Sequence, residues 1–143
     1  GRVCAWVRRT RPDVVLGHDP WQRYQLHPDH RAAGLACVDG VVAARDHLFF
    51  PEQAAAGLAA HRPGALLLWS ADEPNHWEDA SGFLDRKVTA LLCHRSQGRS
   101  TMGGAHADAR ARADFEARIR GRAAEAGAAA GLASAEAFRR ITP

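Results

Sequence analysis

An α/β fold with a mostly parallel sheet and flanking helices is predicted, and three observations predict it. Val14-Val15-Leu16-Gly17 and Ala65-Leu66-Leu67-Leu68-Trp69 are short β-branched or aliphatic runs of strand length. Stretches with helical spacing lie before, between and after them. A third short run, Ala135 to Phe138, follows the last helical stretch. Strands separated by helices pair in parallel through right-handed crossovers.

The elements follow in order. Val3, Trp6 and Val7 fall at i, i+3 and i+4, the buried side of a helix, which Arg11-Pro12-Asp13 breaks. With Gly rather than Met at position 1, this implies a sequence that opens inside a domain. After the first strand, residues 18–28 (HDPWQRYQLHP) have no periodicity and form a polar loop. A helix follows, with Ala33, Cys37, Val41 and Ala44 on one stripe and Asp29 near its positive end. Pro51-Glu52-Gln53 opens a short helix, and Arg62-Pro63-Gly64 turns into the second strand. Asp72-Glu73-Pro74-Asn75 is a loop, and Ser81 caps a helix striped by Leu84, Val88, Leu91 and Leu92. Residues 96–104 read as a flexible loop. Residues 107–126 read as a solvated helix without an apolar face, stopped by Gly127. Three strands are visible, and the loop 18–28 lies outside the carboxyl end of the first, where open α/β sheets place their sites.

Composition bounds the function. The 143 residues suit one domain and one core, residues 1–143. Of 66 hydrophobic residues 30 are alanine, which favours a compact, helix-rich core. No run approaches the about 18–20 apolar residues of a membrane span, and the start lacks the order of a signal peptide. Cys4, Cys37 and Cys93 are odd in number and far apart, so a reducing, cytoplasmic setting is expected, with Cys37 and Cys93 as small core residues. The net charge of +3 is spread over both halves, and the arginines of 110–122 are interleaved with Asp114 and Glu116. A solvated helix accounts for that segment better than a nucleic-acid surface.

His27-Pro28-Asp29-His30-Arg31 is the densest chemical stretch. His27 and His30, three apart, project from the first turn of a helix opened by Pro28. Imidazole serves as a metal ligand or an acid–base group, and a neighbouring carboxylate orients it. Two histidines at this spacing equally well cap a helix or face water, and a catalytic zinc takes three protein ligands. His18 and Asp19 face substrate or hold their loop, while Tyr24 is a hydrogen-bond donor or a packing residue. Trp69 and Trp77 flank a strand exit, where they stack on a sugar ring or pack in the core, with core packing the expected use.

The run HPDHRAAG, preceded by RPDVVLGHDPW, resembles the LmbE-like, PIG-L family of metal-dependent N-acetylglucosaminyl deacetylases. Lys87, Ala90-Leu91, His94 and Ser96-Gln97 match its K-x-x-A-L-x-x-H-x-S-Q pattern, and Ala135-Glu136-Ala137-Phe138-Arg139 resembles its closing A-E-x-F-R. The resemblance implies a Rossmann-like sheet, a Zn²⁺ cofactor and a small-molecule N-acetylated sugar conjugate as substrate, with no nucleic acid or membrane partner. It implies His30 as a zinc ligand, His27 as the histidine that assists at the transition state, and Asp29 as the carboxylate that tunes His27. It leaves His94 and Gln97 without a derived role; Lys87, among apolar helix positions, is expected to pair structurally with a carboxylate, and Glu136 lies at a strand end as a minor site candidate. The family's opening His-Pro-Asp-Asp motif, which supplies further metal ligands and the general base, is absent from this sequence. The expectation is therefore an incomplete sheet lacking its N-terminal strands, about the second half of the family domain. Such a chain is probed as inactive alone, weak in zinc binding, and able to self-associate as a homo-oligomer or aggregate. A non-catalytic binding or scaffold module of the same fold is the alternative.

Overall fold

A computed structural model of the chain describes residues 1–100 and 102–143. The elements are α1 (Arg2–Thr10), β1 (Val14–His18), α2 (Pro28–Arg45), α3 (Pro51–Ala55), β2 (Ala65–Trp69), β3 (His76–Asp79), α4 (Leu84–Leu92), α5 (Ala109–Ala128) and β4 (Ala135–Ile141). The four strands form a sheet in the order β1-β2-β4-β3. Contacts divide the chain into two compact units, residues 1–76 with 137–143, and residues 77–136.

In the first unit β1 and β2 pair in parallel, from Val14 opposite Ala65 to His18 opposite Trp69. Period-two alternation sends Val15, Leu66 and Leu68 to one face, where they pack with Cys4 and Val7 of α1 and Val41, Ala43 and Ala44 of α2. Ala65, Leu67 and Phe138 form a smaller cluster. The close approach of the two helices requires Gly40, since a Cβ there would sit 2.5 Å from Val3 Cγ1. Arg8, 2% exposed, lies in this packing. Its guanidinium donates to the carbonyl oxygens of Ala43, Ala44, Asp46, Phe49 and Phe50 and to Gln53 Oε1, at 2.8 to 3.4 Å. It thereby adds a second donor to carbonyls at the end of α2, ties them to the turn that follows, and places a cation at the negative end of that helix.

In the second unit Ala80, Leu84 and Ala123 form one cluster, and Met102, Ala105 and Phe115 another, with Leu91, Leu92 and Ile119 against it. Asp108 Oδ1 caps α5 by accepting from the Ala111 amide at 2.8 Å.

Several sequence expectations are corrected. A fourth strand, β3, lies immediately after the predicted loop 72–75; its sequence His-Trp-Glu-Asp has little β signal, as suits a short strand at a sheet edge. β4 pairs with β2 antiparallel, Leu67 opposite Arg140, so the sheet is mixed. Phe83, not Ser81, stands at the N-cap of α4, and the Ser81 amide instead donates to Asp79 Oδ1. The Ser81 hydroxyl and amide bonds hold the Asp79 carboxyl below its usual range. α5 buries Phe115, Ala123 and Gly127, a sparse inward face that alanine spacing had hidden, and it runs through Gly127. Cys93 is exposed, while Cys37 is half-buried against the first core as expected. Within the predicted loop 96–104, Arg95–Gln97 forms a turn of 3-10 helix and Gly98 is buried; position 101 lies outside the described residues.

Candidate active site

The site begins where β1 ends. His18 is the last residue of β1 and is 9% exposed. The Asp19 amide donates to the Trp69 carbonyl at 3.0 Å, tying the carboxyl ends of the two parallel strands together. Asp19 Oδ1 accepts from the Trp21 amide at 2.9 Å, which folds the chain sharply away from the sheet.

The loop returns to α2, whose first turn carries the motif. His27 is the N-cap, Pro28 opens the helix and Asp29 lies in its first turn. The Asp29 amide donates to His27 Nδ1 at 3.3 Å. A neutral His27 in this arrangement holds its proton on Nε2. His18 Nδ1 lies 3.0 Å from the Asp19 carbonyl oxygen, which only accepts, so Nδ1 is the donor in this contact.

Three imidazoles meet. The His18 and His30 rings are 5.0 Å apart between centroids, and those of His27 and His30 are 4.8 Å apart and nearly parallel at 24°. Trp69 presents its ring to His18 edge-on, 6.0 Å away. Gly34 permits this meeting. It is buried where α2 crosses the segment leaving β1, and a Cβ there would sit 2.6 Å from the His18 carbonyl oxygen and 3.0 Å from Pro20 N. Backbone atoms cannot give way as a flexible side chain can, so only glycine lets the helix bring His30 to His18.

A catalytic zinc needs about three protein ligands converging on one point. Among the described residues, no group of three or more His, Cys, Asp and Glu is arranged to hold a metal ion. Stacked rings such as His27 and His30 keep their lone pairs in their own planes, not in the gap between them. The residues present therefore do not make a complete zinc site.

The remaining sequence candidates are placed as follows. Asp29 meets His27 through its amide. Tyr24 is 92% exposed and has a left-handed backbone, φ 57°. In the second unit Lys87 pairs with Glu136, His94 is exposed at the start of the 3-10 turn, and Ser100 donates to Gln97. Trp77 lies half-buried on β3. Sequence reading missed Arg8, whose burial carries no one-dimensional signal. It also missed a cleft lined by Trp21, Asp72, Arg139 and Arg140, which come from three distant segments.

An α/β sheet flanked by helices, with an imidazole cluster at the carboxyl end of a parallel strand, defines the class of fold and site. The structure of N,N'-diacetylchitobiose deacetylase from Pyrococcus horikoshii, complexed with an inhibitor, matches 99% of the chain at a TM-score of 0.81 and 25% identity, over 50% of that protein. In sequence, the diacetylchitobiose deacetylase of Thermococcus kodakarensis is 36% identical over 95 residues, 66% of this chain and 36% of the relative. A conserved protein of Thermus thermophilus (TM-score 0.67, 22% identity, 57% of that chain) has the same fold. So does the 4-carboxy-2-hydroxymuconate hydratase of Pseudomonas putida (0.68, 18%, 57%). No family model matches the chain. The chain spans about half the length of the structures it matches and about a third of its sequence relative.

Proposed function

We propose that the chain carries part of the active site of a zinc-dependent N-deacetylase. Its substrate is a small N-acetylglucosamine-type conjugate, and its reaction hydrolyses the acetamide to acetate and a free amine. The carrying observation is the imidazole cluster built on His27-Pro28-Asp29-His30, in a chain 36% identical over 95 residues to a diacetylchitobiose deacetylase. His30 is the residue that the motif gives to the metal. Zinc, where bound, polarises a carbonyl and activates water.

His27 has a role that its hydrogen bond defines. With Nδ1 accepting from the Asp29 amide, the neutral ring offers Nε2–H as a fixed donor. Such a donor stabilises the carbonyl oxygen as water adds to the acetyl carbon and negative charge develops. His18, braced by Trp69 and by the Asp19 carbonyl, fixes one side of His30.

The three free thiols support a reducing, cytoplasmic setting, and among the described residues no helix is long and apolar enough to cross a membrane. A second reading, a binding module without chemistry, is favoured by the incomplete ligand set among the described residues. Acetate release from N,N'-diacetylchitobiose, with zinc, by a protein that joins this chain to an upstream segment carrying the His-Pro-Asp-Asp motif decides between them. The 143-residue chain alone is expected to be inactive, and the joined protein is expected to turn over, with His30→Ala abolishing turnover and His27→Ala lowering it by about 10² or more. Sugar binding with no acetate released supports the module, and full turnover in His27→Ala removes the oxyanion role.

A further inference from the structure

We infer that a cleft in the second unit, between the 3-10 turn Arg95–Gln97 and the glycine turn at 103 and 104, is an anion site that takes a phosphate group on Arg95, Arg99 and His106. This goes beyond the deacetylase reading and does not depend on it.

The cleft has a volume of about 290 Å³, and Arg95, Gly98, Arg99, Gly104, His106 and Ala107 line it. Sites for drug-sized ligands run from about 300 to 1,000 Å³, so this one suits a single small group. Its frame is anchored from below, where Met102 and Ala105 are buried with Phe115 of α5. The Gly98 carbonyl accepts from the Gly104 amide at 2.7 Å, and the Gly104 carbonyl accepts from the Ala107 amide at 2.7 Å. Gly98 is buried, and a Cβ there would sit 2.7 Å from His106 Cδ2. Glycine at this position therefore lets the imidazole close onto the turn that carries Arg95 and Arg99. Gly103 and Gly104 both have left-handed backbones, φ 61° and 80°, a pair that residues with side chains adopt only at a cost.

The lining names the ligand class. It carries two guanidinium groups and an imidazole, and no carboxylate. Among the described residues, none of these three side chains has a hydrogen-bond or ion-pair partner, whereas Lys87, Arg112 and Arg120 of the same unit are each met by a carboxylate. Asp108, close by in sequence, is committed to the cap of α5. A Cβ at Gly103 would sit 3.5 Å from Arg118 Nη1, so a further guanidinium lies beside the same turn. Like charges gathered at one concavity repel, and a bound anion relieves that repulsion. A phosphate group carries about −1.5 to −2 at pH 7 and offers three acceptor oxygens, which matches two guanidinium charges and three donor groups. A carboxylate, with a single charge and two oxygens, leaves the set incompletely matched.

The test is a phosphorus NMR titration of the full chain, at constant ionic strength, with inorganic phosphate and with N-acetylglucosamine 6-phosphate, and with acetate as competitor. Inorganic phosphate is expected to bind saturably. Arg95→Gln and Arg99→Gln should each raise its Kd about tenfold, while Arg122→Gln, a charge lost from an exposed position of α5 outside the cleft, should leave it within about twofold. Arg95 and Arg99 are both exposed, so thermal melting of the two variants should match the wild type. Tighter binding of the phosphorylated sugar than of the free anion, with the same dependence on Arg95 and Arg99, upholds the site and makes its ligand a phosphate ester. Equal or weaker binding of the ester upholds it with the free anion as ligand. Absence of saturable phosphate binding, a Kd unmoved by Arg95→Gln and Arg99→Gln, displacement of phosphate by acetate at equal concentration, or an equal loss in Arg122→Gln overturns the site, the last by showing only a diffuse basic surface.

Discussion

Arg8 joins two helix ends that the core alone would leave loosely held. Its five carbonyl partners and Gln53 Oε1 come from residues 43–53, and four of those carbonyls (Ala43, Ala44, Asp46 and Phe50) also accept a backbone amide, so removing the guanidinium takes away a shared, charge-assisted donor and leaves a buried gap between the helix ends. Arg8→Ala is expected to cost about 3 kcal/mol in urea denaturation. Arg8→Lys should recover little of it, because an ammonium group cannot fork to partners on several sides; recovery to within about 0.5 kcal/mol would show that charge alone matters. In sequence Arg8 and Arg9 look alike, yet one is buried and the other exposed, a difference set only by which side of α1 meets α2. Cys37 yields a prediction about pH. It packs between α2 and β1, and burial raises its thiol pKa from the ordinary value of 9.0. The folded state thus prefers the neutral thiol. The stability it contributes is complete below the unfolded thiol's pKa and is lost as pH rises through the folded value. Cys37→Ala should flatten the alkaline limb of the stability profile, and thiol absorbance should show Cys37 ionising at higher pH than in the denatured chain.

α2 was the most legible element, because one short stretch encodes its start, its N-terminal carboxylate and its site. Pro28 fixes the first turn, Asp29 sits at the positive end, and Gly34 marks the crossing over the His18 carbonyl. Less visible was that His27 is itself the cap, which gives that residue two separable duties. His27→Asp keeps a side-chain acceptor for the Asp29 amide and removes the Nε2–H donor. It should retain thermal stability within about 0.5 kcal/mol of wild type while losing turnover, whereas His27→Ala should lose turnover and about 1 kcal/mol as well. A fall in stability in His27→Asp equal to that in His27→Ala would mean that the cap contributes nothing. The elements that were misread share a different property: their signal is not local. β3 has four residues, two of them acidic, and owes its extended form to the sheet. The antiparallel direction of β4 is a matter of topology, which no hydrophobic period encodes. α5 buries only Phe115, Ala123 and Gly127 among many alanines and charges, too sparse a pattern for a stripe to stand out.

For the whole molecule the sheet order has a physical consequence at its β1 side. Among the described residues β1 is an edge strand paired with β2, and one row of its amides and carbonyls lacks a strand partner there. Val14 and Leu16 alternate onto the face away from α1 and α2, and both are exposed, Leu16 at 56%. Neither a proline nor an inward charge blunts this strand, the devices by which sheet edges avoid pairing with other chains. Trp69 and Leu35 are exposed as well, which adds apolar surface in the same unit. The chain of 143 residues is therefore expected to associate with itself, and the association should depend on β1. Leu16→Lys places a charge on the edge without disturbing the buried Leu66 and Leu68 beneath the helices. It should raise the concentration at which light scattering detects oligomers, by about tenfold, while leaving the melting temperature unchanged. A monodisperse wild-type preparation, or scattering identical in wild type and Leu16→Lys, would show that the edge is harmless and that the exposed side chains of β1 do not drive association.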